Sequence, residues 1–363
     1  MKHRSVRLYI LTLALTVMLA AASYLNAQML SPLPVSNNGN KVHILPPPEE
    51  ALQRQSQSAG GPVVYHGGPV MLGPPAYTNF PPVVTTYAIF WIPKSGLLQD
   101  GKTKTILPPF YRSIQKTLLE EYPGHGIDNN NTQYYSVVPS QPVEYVQNNG
   151  GLAGYYVDTS EYPKGLCNNP LTGANCIPDS EIQYHIGLAI TAENWPLFPG
   201  GGDGLDKMFL LFTSSGEGSC VQDGSPGDSC AYLAPPGGMA YCGYHSYQLY
   251  YPGQWVIYGN EPYLDQPMCQ AGTTPNNDSA ADAAASVATH ELTEAITDPL
   301  LTAWYTAGGD EIGDLCAWNY GANSWDFDPK SGQYLANQMW GGALFELQMM
   351  YDNHTSSCVQ VGP

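Results

Sequence analysis

The sequence predicts an α/β (α+β) fold: a mixed sheet with supporting helices, one central helix and loops held by disulfides. Three observations predict it. Strand-like apolar runs alternate with segments of helical period between about residues 63 and 214. Asp278 to Asp298 is a long Ala-rich stretch with a capping residue before it and Pro299 after it. All 8 cysteines fall after the N-terminal apolar run, from Cys167 to Cys358, an even set that reads as a disulfide framework.

Taken in order, Lys2, Arg4 and Arg7 precede an apolar run from Leu8 to Ala22, with small residues at Ala20, Ala21, Ala22 and Ala27. This pattern predicts a secretory signal peptide over residues 1–27. Residues 28–62 are rich in Pro, Gln, Ser and Asn and are expected to be a flexible tether. The folded domain is expected over 63–363. It opens with VVYHGGPVML, strand-like in character, and VTTYAIFWI at Val84 to Ile92, a buried strand. Pro108 to Tyr122 has helical spacing, TQYYSVV and GYYVDTS read as strands, Asp179 to Trp195 as a capped helix and Lys207 to Ser214 as another buried strand.

Residues 215–277 carry four cysteines among many Gly and Pro, and are expected to form stapled loops and hairpins. Short spacings favour Cys167 with Cys176 and Cys220 with Cys230, leaving Cys242 with Cys269 and Cys316 with Cys358.

Composition narrows the function classes. Hydrophobic residues make up 43% and charged residues only 12% of 363, with 38 Gly and 32 Pro, as in a loop-rich extracellular protein. The formal charge of −18 excludes nucleic acid and anionic membranes as expected partners. The expected location is secreted, extracellular or periplasmic, and no membrane association is expected once the signal is cleaved.

The chemistry is expected in the stretch VATHELTEAITDP. His290 and Glu294 stand one helical turn apart on one face, with Glu291 beside them and Asp298 on the same stripe. Two ligands so spaced can grip Zn²⁺ while an intervening Glu acts as general base. Downstream, GGDEIGDLC offers Glu311 and Asp314, and either can supply a third ligand. His245, in the Gly- and Tyr-rich CGYH stretch, is a candidate fourth ligand or oxyanion donor. His66 reads as a strand-end residue, and Trp304 and Tyr305 as packing or cleft-lining aromatics. There is no GxSxG elbow, phosphate-binding loop or dinucleotide fingerprint.

HELTEAITD followed by the acidic pair in EIGD resembles the active-site helices of thermolysin-type metallopeptidases over about 30 residues, counted as a motif match. It departs from them at Glu294, where that family has a second His. The resemblance implies a zincin-like core with Zn²⁺ at the helix. A second resemblance spans more chain: YHGGPVM, IFWIP, CGYH, ATHELTEAITDPLLTAWY and EIGDLC are similar to the EXORDIUM (phosphate-induced protein) family across residues 63 to 318. It implies export to the cell exterior or wall. Plant members carry Asn-Pro where this chain has Asp298-Pro299.

The expected activity is therefore hydrolysis of an extracellular peptide or cell-wall amide. His290, Glu294 and Asp314 or Glu311 would hold Zn²⁺, and Glu291 would be the base. The rival expectation is a non-catalytic wall- or carbohydrate-binding protein whose acids bind Ca²⁺ or no metal.

Overall fold

The structure is a computed structural model and describes residues 41–57, 61–72, 83–169, 174–198, 202–225, 227–231 and 240–363. The expected signal peptide and the first part of the expected tether, residues 28–40, lie outside the described residues.

Six strands form the central sheet: β1 (Val42–Leu45), β2 (Val84–Trp91), β3 (Gly150–Asp158), β4 (Lys207–Phe212), β5 (Gly243–Tyr251) and β6 (Gln254–Glu261). Their spatial order is β1-β5-β6-β4-β2-β3. β6, β4, β2 and β3 run parallel, whereas β5 and then β1 add antiparallel at one side. The central parallel strands read as continuous apolar runs because both faces are covered; every residue of Lys207–Phe212 is buried. The turn between β5 and β6 is Pro252-Gly253, and Gly253 takes the left-handed φ of +79° that this turn requires.

Five α-helices are present among the described residues: α1 (Pro48–Gln57), α2 (Pro109–Glu121), α3 (Gly126–Asn130), α4 (Asp179–Glu193) and α5 (Ser279–Thr297). Alternation along the strands sends Tyr87, Ile89, Trp91, Phe209, Leu211 and Tyr258 toward α4. The opposite face, with Ala88, Phe90, Met208, Leu210, Phe212 and Ile257, packs with α2 and α5. The fold is thus a mixed α+β arrangement of helices on both faces of one sheet.

Helix α5 is buried from Ala280 to Thr297. Its small alanines let the helix lie close to the sheet, and Asp278 caps it by accepting the Ala281 N–H at 3.1 Å. Thr289 and Thr293, both buried, donate to the carbonyls of Ala285 and Thr289 at 2.8 and 2.6 Å, and Thr293 Oγ1 also pairs with the Tyr122 hydroxyl at 2.9 Å.

Two expectations need correction. Residues 41–57 are not a flexible tether: VHIL pairs with β5 as β1, and α1 follows it. The physical reason is that β5 would otherwise present an unpaired edge, which β1 satisfies while burying Leu45 completely. The stretch VVYHGGPVML yields only a two-residue strand, Val64–Tyr65, paired with Trp304–Tyr305. Gly67 at φ +98° and Pro69 end it.

The cysteines form the four pairs expected from spacing: Cys167–Cys176, Cys220–Cys230, Cys242–Cys269 and Cys316–Cys358.

Candidate metal centre

The candidate site lies where α5 crosses the antiparallel side of the sheet. His43 on β1 and His245 on β5 are direct cross-strand neighbours, so both side chains leave the same sheet face, toward α5. From α5 come His290, Glu291 and Glu294, and from the short helical turn at Asp314–Cys316 and the residues before it come Glu311 and Asp314.

Close approach depends on two glycines. A Cβ at Gly243 would lie 2.5 Å from Val287 Cγ1, so β5 can approach the helix only without a side chain there. A Cβ at Gly313 would lie 2.7 Å from both Glu294 Oε1 and His290 Nδ1, so Gly313 lets the acidic loop lie on the helix.

The sequence-derived residues His245, His290, Glu291, Glu294, Glu311 and Asp314 are brought together in one cluster. His290 Nε2 is 3.2 Å from Glu294 Oε1 and 3.9 Å from Asp314 Oδ1. His245 Nδ1 is 3.1 Å from Glu291 Oε2 and 3.8 Å from Glu294 Oε2, and its Nε2 is 3.8 Å from Glu311 Oε1. Glu294 Oε1 accepts the N–H groups of Gly313 and Asp314, each at 3.0 Å, which ties the loop to the helix.

His43 was not expected here. Its Nε2 is 2.6 Å from Asp314 Oδ2 and 3.6 Å from Glu294 Oε2, and its Nδ1 is 3.2 Å from Glu311 Oε1. The only sequence signal was the short alternation in VHIL, obscured by the Pro- and Asn-rich residues around it. Glu261 at the end of β6 was also missed; it is fully buried, and neither carboxyl oxygen has a hydrogen-bond partner.

Other candidates lie apart from the cluster or serve it indirectly. His66 is stacked on Tyr305 at 3.7 Å, and Trp304 is buried against Tyr65, Tyr134 and Tyr135. Asp298 Oδ1 accepts the N–H groups of Thr302 and Ala303 at 2.5 and 2.7 Å, which closes the turn after α5.

Electrostatics separate the members of the cluster. Burial opposes charge on His43, but Asp314 and Glu294 outweigh it and lift its pKa to about 9. Burial likewise opposes ionisation of Asp314, yet His43 and His290 draw it down to about 2. Burial, reinforced by Glu294, Glu261 and Asp314, raises Glu291 well above the usual carboxyl range. Glu311 is raised for the same first reason, with Asp298 and Glu294 next. His245 is pushed well below its ordinary value by burial and by the neighbouring His43 and His290.

Several buried atoms here have no hydrogen-bond partner: both ring nitrogens of His290, His245 Nε2, Glu291 Oε1, Glu294 Oε2 and Glu311 Oε2. Unpaired buried polar atoms of this number are costly and call for an ion or water. Three sets of potential ligand atoms lie within 4.8 Å of one another: His290, Glu294 and Asp314; His245, Glu291 and Glu294; and His43, Glu294 and Glu311. Glu294 belongs to all three. The donor set, imidazoles with carboxylates, fits a borderline divalent cation.

No protein-family model and no solved structure matches the chain. It is similar to Protein EXORDIUM-like 5 of Arabidopsis thaliana, at 33% identity over 101 residues, which covers 23% of this chain and 26% of that protein. The chain thus matches about a quarter of the length of that relative. This limited similarity, together with four disulfides, fits an extracellular protein. Among the described residues no helix is long and apolar enough to cross a membrane.

Proposed function

We propose that this protein is an extracellular metal-dependent hydrolase of the metallopeptidase or amidase type, with its reaction site at α5. The observation that carries the reading is the convergence of His290, Glu294 and Asp314 within 4.8 Å, with both His290 nitrogens and Glu294 Oε2 lacking partners. These three residues would hold Zn²⁺, which supplies a fixed positive charge for polarising an amide carbonyl. Asp314 is favoured over Glu311 as the third ligand because Glu311 groups with His43 and Glu294 and not with His290.

Glu291 has the role of proton carrier. Its Oε1 is unpaired, and its raised pKa suits a group that takes a proton from water and returns it to a leaving amine. His245, 3.1 Å from Glu291 Oε2, orients that carboxyl. Extended polypeptides or wall peptides are the substrate class this reading supports.

The test is elemental mass spectrometry of the dialysed protein beside His290→Ala, with amide hydrolysis measured for Glu291→Gln. Near-stoichiometric zinc that is lost in His290→Ala, and at least a hundredfold loss of rate in a folded, zinc-loaded Glu291→Gln, are expected on the usual scale of acid–base catalysis. Zinc-free protein in both samples, or an unchanged rate in Glu291→Gln, would remove the hydrolase reading.

One observation favours a second reading, binding of a wall polymer. On the hairpin of Trp325–Asp328 and Gln333–Ala336, Trp325, Phe327 and Tyr334 are exposed, and Phe327 and Tyr334 are paired across the strands. A solvent-facing aromatic row of this kind suits stacking on sugar rings. Loss of polysaccharide pull-down in Trp325→Ala with Phe327→Ala, with hydrolysis unaffected, would separate the two readings.

A further inference from the structure

The cluster offers more ligand atoms than one four-coordinate ion can use. Beside the set of His290, Glu294 and Asp314 lies a second, His43, Glu294 and Glu311, and the two share only Glu294. Glu294 divides its carboxyl between them: Oε1 is 3.2 Å from His290 Nε2, whereas Oε2 is 3.6 Å from His43 Nε2 and 3.8 Å from His245 Nδ1. The N–H groups of Gly313 and Asp314 hold Oε1 at 3.0 Å each, which fixes the carboxyl with one oxygen toward each set.

The histidines beside Glu311 are turned as ligands are. Asp314 Oδ2 accepts the Nε2–H of His43 at 2.6 Å, which leaves Nδ1 with its lone pair, 3.2 Å from Glu311 Oε1. In the same way Glu291 Oε2 accepts the Nδ1–H of His245 at 3.1 Å, which leaves Nε2 unpaired and 3.8 Å from the same Glu311 oxygen. Two donors each about 2.0–2.2 Å from Zn²⁺ in a tetrahedron stand about 3.3–3.6 Å apart. The spacings of 3.2 and 3.8 Å on Glu311 Oε1 bracket that separation. His245 and Glu294 are 0% exposed and Glu311 is 1% exposed, yet His245 Nε2, Glu294 Oε2 and Glu311 Oε2 have no hydrogen-bond partner.

Charge points to the same count. Carboxylates that ligate must be ionised, and among the described residues no Lys or Arg pairs with Glu294, Asp314 or Glu311; the Lys and Arg ion pairs join Arg54 to Glu50 and Lys207 to Asp206 instead. One divalent ion leaves one of these three buried charges uncompensated, and a second removes the excess.

We infer that the centre is built for two divalent cations bridged by Glu294: an inner one on His290, Glu294 and Asp314, and an outer one on His43, Glu294 and Glu311, with His245 Nε2 beside Glu311 as a further donor. The inference rests on the inner ion of the hydrolase reading. The outer position lies nearer solvent, since the side chains of His43 and Asp314 are 16% and 10% exposed, and its ion exchanges first. A second ion adds positive charge where an amide oxygen becomes negative, the clamp that paired-metal hydrolases use.

For the test, the full chain and His43→Ala are dialysed to equilibrium at one low free zinc concentration. Zinc per chain is counted by elemental mass spectrometry, and zinc-edge X-ray absorption reads zinc–zinc scattering. The unaltered chain is expected to hold two zinc ions about 3.5–4 Å apart. His43→Ala is expected to hold one, without zinc–zinc scattering, and to bind a second at least about tenfold more weakly. Glu311→Gln, which keeps the side-chain shape, should behave alike and replaces His43→Ala if that variant does not fold. One zinc per unaltered chain without zinc–zinc scattering overturns the inference and makes His43 a cationic clamp on a single ion, with the hydrolase reading intact. Two zinc ions that persist in both variants also overturn it, because the second then lies outside the cluster. A zinc-free unaltered chain removes both readings together.

Discussion

At the scale of single residues, the cluster depends as much on a missing side chain as on its imidazoles and carboxylates. Gly313 lets the loop carrying Asp314 lie against His290 and Glu294, where a methyl group would meet atoms at 2.7 Å. Gly313→Ala should therefore destabilise the fold by about 1–3 kcal/mol, as overpacking does. Chemical denaturation would measure it, and the cost should shrink in a His290→Ala background, since a shared contact is then relieved. A cost unchanged by His290→Ala would place the strain elsewhere. At this scale the sequence was readable where spacing speaks: His290, Glu291 and Glu294 announce themselves on a capped helix, and Asp314 and Glu311 follow on the next acidic stretch. His43 and Glu261 did not, because a lone His in a four-residue strand and a lone Glu at a strand end leave no period to read.

At the scale of elements, the short helical turn carrying Asp314 is fixed from two sides. Glu294 accepts its backbone N–H groups, and Cys316 joins it to Cys358 on the C-terminal strand Ser357–Val359. Replacing both cysteines by Ser opens a loop of sequence separation 42 and should cost about 2–4 kcal/mol, seen as a lower denaturation midpoint. A midpoint shift of less than a few tenths of a molar in urea would show that the turn is held by the helix alone. Long elements were legible in the sequence: α5, α4, β2 and β4 lie close to their expected bounds, because caps, prolines and apolar runs mark them. VVYHGGPVML and TQYYSVV were read as strands, but only Val64–Tyr65 and Tyr135–Ser136 pair within them, since the partner and not the local alternation sets the paired length, and Trp304–Tyr305 and Glu144–Tyr145 are two residues long. The tether reading failed for the same reason: composition describes what residues 41–57 prefer alone, whereas the open β5 edge decides what they do.

At the scale of the whole molecule, buried carboxyls outside the site set a pH dependence. Glu217 is raised from 4.5 to about 8 by burial, against the hydrogen bond it accepts from Gln99. A carboxyl that holds its proton more tightly when folded favours folding at acid pH. Its contribution falls as pH rises from 4.5 toward about 8. Glu217→Gln keeps an acceptor for Gln99 and cannot ionise, so the drop in melting temperature between pH 5 and pH 8.5 should be smaller than in the unaltered protein. Equal drops in the two proteins would assign the dependence to other groups.

The sheet order carries one more consequence. β1 is the earliest described strand in the chain, yet its partner β5 lies about two hundred positions later, from Val42 opposite Ser246 to Leu45 opposite Gly243. His43 reaches Asp314 across a sequence separation of 271. A chain delivered from its N-terminus must therefore keep its first strand waiting until β5, α5 and the Asp314 turn have all arrived. The cluster is therefore completed among the last steps of folding, because its first member along the chain gains its acidic partners only when the segment carrying Glu311 and Asp314 has joined the sheet and helix.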